Sequence, residues 1–335
     1  MASDGNNPAP HAMWMNPKGA EVVYASCISL GAAATVVCLR IFTRVHTLHS
    51  PVRSDDWLLL VAVLCSLGET VAMCYEVKNG LGLHIQEVSP AHITEIFRFL
   101  WISIIFYNVS LILTKISLLL SFLRVFPHPR IILASKLSIG FLVGTAGYWL
   151  VSTCLLCQPL AFWWDKSIKG GHCINAQPIW ISHAILNIVT DLVIIIIPMP
   201  VLSTLNLANR AKLWLIFVFA LGLFVTIVSV VRLRILLDIS PDFTYSSTGA
   251  ALLSTLENNT AIFCASLPPL RSFVRRYAPQ LMSRAERTNL QKGEPTLSVS
   301  AGLESIALKS PHQPTKAATE STKELVGQSS STSVV

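Results

Sequence analysis

Seven apolar stretches of bilayer length follow one another along the chain, at about residues 21–41, 57–76, 99–122, 135–156, 178–202, 212–236 and 250–270. A membrane-crossing helix needs about 20 mainly apolar residues, because in hydrocarbon every backbone polar group must be satisfied within the helix itself. Of the 335 residues, 52% are apolar and only 13% charged, too little charge to cover a water-soluble globule of that size. Lipid is therefore part of the solvent. The expected fold is all-α, a seven-transmembrane helix bundle. Its first and last stretches carry the weakest signal: EVVYASCISLGAAATVVCLRIF is rich in Ala, Ser and Cys, and AALLSTLENNTAIFCASLPPL contains Glu257, Asn258 and Asn259.

Lys and Arg collect on the cytosolic side of a membrane protein. With the N-terminus outside, the cytosolic segments hold Arg44, Arg53, Arg124, Arg130, Lys136, Arg210, Lys212, Arg271, Arg275 and Arg276, ten basic residues against five on the other side (Lys18, Lys78, Arg98, Lys166, Lys169). The expected topology is N-terminus outside and C-terminus cytosolic. Residues 1–20 then form a short extracellular or lumenal segment with no signal-peptide pattern, and residues 21–275 the seven-span body. Residues 276–335, rich in Ser, Thr and Lys, form a disordered cytosolic tail suited to phosphorylation and to a signalling partner. The net charge of +7 is spread over helix ends that face anionic inner-leaflet lipid, with no basic stripe interleaved with aromatics. Membrane lipids, and not nucleic acid, are the expected partners.

Arg40 and Arg44 close the first stretch, and Asp55 and Asp56 open the second. Further on come YEVKNGLGLHI at 75–85, KISLLLSFLRVF at 115–126, CQPLAFWWDKSIKGGHC at 157–173, RLRILLD at 232–238 and LENNTAIFCASLPPLRSF at 256–273. In this order, over roughly residues 20–275, they resemble the fungal rhodopsin-like domain family of seven-span integral membrane proteins, with its SAT4-type and PTH11-related members. The resemblance implies the seven-span fold and either a receptor-like role or a place in a secondary-metabolite pathway. Glu76 and Asn79, beside Gly80, Gly82 and His84, depart from the more glycine-rich form of the 75–85 motif.

Charges inside the apolar stretches are costly when unpaired, roughly 2.5–3.5 kcal/mol each at a helix centre. Lys115 in the third stretch and Asp191 in the fifth fall at similar depth. A buried ion pair supported by Asn187 and Thr190 is the leading reading, beside a ligand or proton site and snorkelling of Lys115 to the interface. Glu69, Arg232, Arg234 and Glu257 lie toward the outer half and form the expected pocket, open to a small organic anion or an amphipathic metabolite. The plainer alternative for them is an Arg232 that snorkels and a Glu257 protonated against an asparagine.

Cys157 and Cys173, sixteen positions apart in an outer loop, are expected to form a disulfide. Zinc would find only His172 beside them and no fourth ligand. Trp163 and Trp164, with Trp101, Trp149 and Trp180, are expected as interfacial anchors.

No metal and no cofactor is expected. A retinal Schiff base needs a lysine in the last stretch, and residues 250–270 contain none. The chain also lacks the Asn-Pro-x-x-Tyr motif of animal-type receptors, and H-E-x-x-H, G-x-S-x-G and nucleotide fingerprints. The expected function is a receptor-like integral membrane protein of the plasma membrane or an endomembrane that senses a small amphipathic molecule. The alternative is a membrane-embedded enzyme of the cyclase or isomerase type, or an accessory protein of a metabolite pathway.

Overall fold

Asn16 followed by Pro17 starts the first helix: the asparagine Oδ1 accepts from Lys18 N at 3.2 Å, and the proline fills a position that needs no N–H. The same devices recur. Pro129 opens a helix capped by His128, and Asn175 Oδ1 accepts from Gln177 N at 3.1 Å to open another. The computed structural model describes residues 16–47, 51–125, 128–200, 209–237 and 243–277, all within one unit, Met1–Arg287. The expected tail and most of residues 1–20 lie outside the described residues.

The helices are α1 (Pro17–Phe42), α2 (Ser54–Lys78), α3 (Pro90–Val125), α4 (Pro129–Cys154), α5 (Ala176–Ile196), α6 (Asn209–Leu237) and α7 (Phe243–Tyr277). The protein is a multi-pass membrane protein built as a seven-helix bundle. Consecutive helices pack side by side, α7 closes the ring against α1, and α3 also reaches α7 across the middle. Six of the seven, α1 to α6, contain segments long and apolar enough to cross a membrane. On their outer faces Ile28, Leu64, Leu137 and Ile227 are 73%, 64%, 67% and 61% exposed, a surface that only lipid tolerates. The seventh, α7, interrupts its apolar pattern with Glu257, Asn258 and Asn259, all buried in the bundle. Pro198 has no N–H to continue a helix, and α5 stops at Ile196.

At one end of the bundle the α1–α2 connection is tied by charge. Asp55 accepts from Arg40 Nη2 at 2.5 Å, Arg124 Nη1 at 2.6 Å and Arg44 Nη1 at 3.1 Å. Asp56 accepts from Arg40 Nε at 2.8 Å, from Arg44, and from the backbone N of Arg53 at 3.1 Å. Arg40, Asp55 and Asp56 are fully buried. The fork of Arg40 thus holds both aspartates at once, the geometry a guanidinium supplies and an ammonium does not.

The opposite end is closed by loops. Asn16 Nδ2 donates to Leu81 O at 3.2 Å, and Gly82 N donates to Thr244 O at 3.0 Å. Gly82 has φ +100°, and a Cβ there would stand 2.5 Å from Asn16 Nδ2, so the turn after α2 accepts only glycine at this point. Between α4 and α5, β1 (Cys157–Gln158) pairs antiparallel with β2 (His172–Cys173), and the Cys157–Cys173 disulfide joins them as expected. Both thiols are consumed by that bond, which removes them as zinc ligands.

Candidate functional site

Glu69 and Glu76 are seven residues apart, two helical turns, and so share the face of α2 that looks into the bundle. On α3, Tyr107, Ser110 and Lys115 are all buried in the bundle, and on α5 Thr190 and Asp191 lie three and four residues after Asn187, on one face. These stripes meet α7 in a continuous polar seam.

Lys115 Nζ lies 2.9 Å from Asp191 Oδ1 and donates to Asn187 Oδ1 at 2.6 Å and Thr190 Oγ1 at 2.8 Å. The side chains are 6% and 12% exposed. Lys115 and Asp191 are the two residues that the sequence placed at similar depth, and Asn187 and Thr190 are the two it placed beside them. The Lys115 side chain lies within the bundle.

Glu257 is the junction of the seam. Its Oε1 accepts from Asn187 Nδ2 and Ser229 Oγ, both at 2.5 Å; its Oε2 accepts from Tyr107 OH at 3.0 Å and lies 3.3 Å from Arg232 Nε. The Arg232 guanidinium also rests over the Tyr107 ring, 5.0 Å from its centroid. Neighbouring Asn258 donates to Glu69 Oε2 at 2.6 Å and accepts from Ser110 Oγ at 2.8 Å. Asn259 accepts from Ser66 Oγ at 2.7 Å and donates to Ser29 Oγ at 3.0 Å. Three consecutive polar residues of α7 therefore engage α1, α2, α3, α5 and α6.

Above the seam, at the end carrying the 155–175 loop, is a cavity of about 160 Å³. Glu69, Glu76, Tyr107, Asn187 and Arg232 supply its polar wall, and Trp149, Trp180, Leu100, Ile104 and Phe243 part of its apolar one. Of the four pocket residues expected from sequence, Glu69 and Arg232 line it, and Glu257 stands behind it holding Arg232, Tyr107 and Asn187. Arg234 does not belong: two residues beyond Arg232 on one helix, it is turned by about 200° and is exposed on the other face.

A smaller cavity of about 40 Å³ shares Asn108, Trp149, His183 and Asn187 with the first and reaches down to Lys115. It is large enough for a water molecule.

The tryptophans also differ from expectation. Trp163 is 8% exposed and packs with Leu156 and Cys157. Its ring meets Phe97 at 5.9 Å and Trp180 at 5.9 Å, edge to face in both cases. Trp149 is buried in the cavity wall. Stapled at its base by the disulfide, the loop packs inward as an aromatic cap, its edge-to-face ring pairs gaining stability beyond the apolar area they bury. On its outer side, burial against the Phe162 and Trp163 rings holds the Lys166 ammonium below its ordinary range, and the Ser167 hydroxyl and N–H hold the Asp165 carboxyl down.

Glu76 was missed as a site residue by the sequence reading, which treated it only as part of a motif. Its signal was the two-turn offset from Glu69.

The model of the fungal rhodopsin domain matches residues 39–276. The polyenoic acids biosynthesis gene cluster protein Ba17b of Metarhizium anisopliae is 26% identical over 191 residues, 56% of this chain and 52% of that protein. The receptor GIN3 of Arthrobotrys oligospora is 25% identical over 284 residues, 84% of this chain and 69% of that protein. A SAT4 family membrane protein of Emericella nidulans is 33% identical over 163 residues, 47% of this chain and 42% of that protein. The chain thus spans about half the length of two of these three relatives, 52% and 42%. No solved structure matches.

Proposed function

The chain belongs to the fungal rhodopsin domain family, and from that premise we propose that it is a receptor-like protein of the plasma membrane or an endomembrane that recognises a small amphipathic molecule in the cavity beneath its aromatic cap. One observation carries this reading: three polar wall residues, Tyr107, Asn187 and Arg232, all hold the same carboxylate, Glu257. An occupant that draws on any of them redistributes the bonds of the junction, and through Asn187 those of Lys115 and Asp191. A cavity so wired is built to report occupancy. The similarity to a protein named as a receptor over 84% of the chain supports the same reading.

The proposed orientation puts residues 1–20 and the disulfide loop outside and residues 276–335 in the cytosol, with residues 21–275 as the seven-span body. The ten-to-five distribution of basic residues supports it, as does a disulfide, which persists on the oxidising side of a membrane. The tail then offers its hydroxyls to a cytosolic signalling partner.

The second reading is a membrane enzyme of the cyclase or isomerase type, or an accessory protein of a metabolite pathway. Two carboxyl groups, Glu69 and Glu76, at a largely apolar cavity favour it, since a proton donor beside an apolar substrate drives such rearrangements. A relative named for a polyenoic acids cluster supports it too. Membranes containing the protein, incubated with extracts of gene-deleted and intact strains and followed by mass spectrometry, separate the two. The receptor reading expects saturable retention of a compound without conversion. Protein-dependent turnover that disappears in E76Q overturns it in favour of the enzyme.

A further inference from the structure

The ionisable side chains around the cavity are not all paired. Lys115 is matched by Asp191 and Arg232 by Glu257. Glu69 and Glu76 line the cavity with no basic partner among the described residues. Glu69 is held by neutral donors only, Asn258 Nδ2 at 2.6 Å and Thr255 Oγ1 at 3.4 Å. Glu76 is fully buried; its Oε1 accepts from Ser103 Oγ at 2.7 Å, and its Oε2 has no hydrogen-bond partner among the described residues. A buried carboxyl oxygen without a donor is costly, and inside a membrane protein such a group marks a site that something else completes.

The walls opposite indicate what completes it. Tyr107, Trp149, Trp180 and Phe243 all line the same space, and the faces of aromatic rings attract cations, most strongly where water is excluded. His183, the remaining ionisable wall residue, turns its Nε2 to Ser152 Oγ at 2.9 Å. For the organic anion that the sequence left open, the wall offers one guanidinium among the described residues, Arg232, whose Nε makes no hydrogen bond there but whose charge is already met by Glu257 Oε2 at 3.3 Å, and Arg234 is on another face. A cavity on the order of 150 Å³ holds a benzene-sized guest, and this one measures about 160 Å³.

We propose that the cavity binds a small organic ammonium, one ring or a short branched chain bearing a protonated nitrogen, which donates to Glu76 Oε2 while its apolar part lies against the aromatic wall. The proposal rests on the reading of this cavity as the recognition site and deepens it by naming Glu76 as the anchor.

The test uses the full chain in nanodiscs of zwitterionic phosphatidylcholine and three probes of one shape: benzylamine, benzyl alcohol and benzoate. Saturation-transfer NMR titrations read the affinity of each. Benzylamine is expected to saturate and to bind about tenfold or more tightly than benzyl alcohol, the difference a charge-assisted hydrogen bond supplies. In E76Q, which retains an acceptor for Ser103, that preference is expected to vanish while binding of the alcohol is kept. The wild-type comparison needs no variant, so a misfolded E76Q leaves the proposal exposed to refutation. Benzoate binding best, or amine and alcohol binding alike, overturns the ammonium while the cavity stands as a recognition site. Saturation by none of the three overturns both.

Discussion

Asp55 gathers three arginines from two helices and the segment between α1 and α2, and it is fully buried while doing so. Removing one partner of a buried ion pair leaves an uncompensated charge, at about 3–5 kcal/mol. D55N is therefore expected to lower the thermal unfolding midpoint in detergent sharply. R124Q, whose partner keeps two other arginines and whose own side chain is 35% exposed, should lower it much less; equal losses would show that the network is not centred on Asp55. For Lys115 and Asp191 the sign of the coupling is diagnostic. K115M alone strands a carboxylate and should cost about 3–5 kcal/mol, whereas K115M/D191L removes both charges and should recover much of the loss. Strictly additive losses would deny the pair. These two sites were legible to different degrees. For Lys115 and Asp191, the sequence offered their similar depth and the cost of leaving either alone as reasons to set them together. Arg40, Arg44, Asp55 and Asp56 were visible only as a motif, because nothing in the spacing says that one guanidinium reaches two carboxylates. Arg234 was misplaced because nearness in sequence was taken for nearness in space, against the rotation of about 100° per helical residue.

At the scale of elements, the disulfide-stapled loop has a role that its composition concealed. Aromatic residues beside a membrane-facing loop read as interfacial anchors, and only the packing of Trp163 onto Phe97 and Trp180 reveals a cap. Non-reducing peptide mapping should recover the Cys157 and Cys173 peptides joined. In C157S/C173S the staple is gone, and proteolysis within residues 155–175 is expected to accelerate severalfold while α3 and α5 stay protected; unchanged cleavage would mean that aromatic packing alone holds the cap. Helix existence was legible throughout, since runs of about 20 apolar residues leave the backbone few alternatives. Helix ends were legible only roughly: the stretches expected to begin at about 21 and 135 begin at Pro17 and Pro129, since capping and the exposed first turns carry no apolar signal. The cavity was not legible, because it is made by six helices, α2 to α7, whose relative rotation no periodicity fixes.

For the whole molecule, composition and basic-residue bias carried the architecture, and sidedness is the part that now needs a measurement. Lys169 in the disulfide loop and Pro51 between α1 and α2 are both exposed. With the other free cysteines replaced, K169C should react with a membrane-impermeant maleimide in intact cells and P51C only after permeabilisation; the reverse pattern would invert the proposed orientation. A different consequence follows from α7. Among the described residues it is not one of the six helices long and apolar enough to cross a membrane, yet Glu257, Asn258 and Asn259 find partners on α1, α2, α3, α5 and α6, all synthesised before it. Its entry into the bilayer is therefore expected to depend on folding as well as on partition: Glu257, Asn258 and Asn259 weaken its apolar run, and the six earlier helices supply the partners that those three residues need. A glycosylation reporter placed after α7 should show efficient membrane integration in the intact chain and poor integration when α7 is presented alone. Integration in the intact chain should also fall when Ser66 and Ser110, on helices synthesised earlier, are replaced by leucine, so that quality control of the whole protein reads out at its last helix.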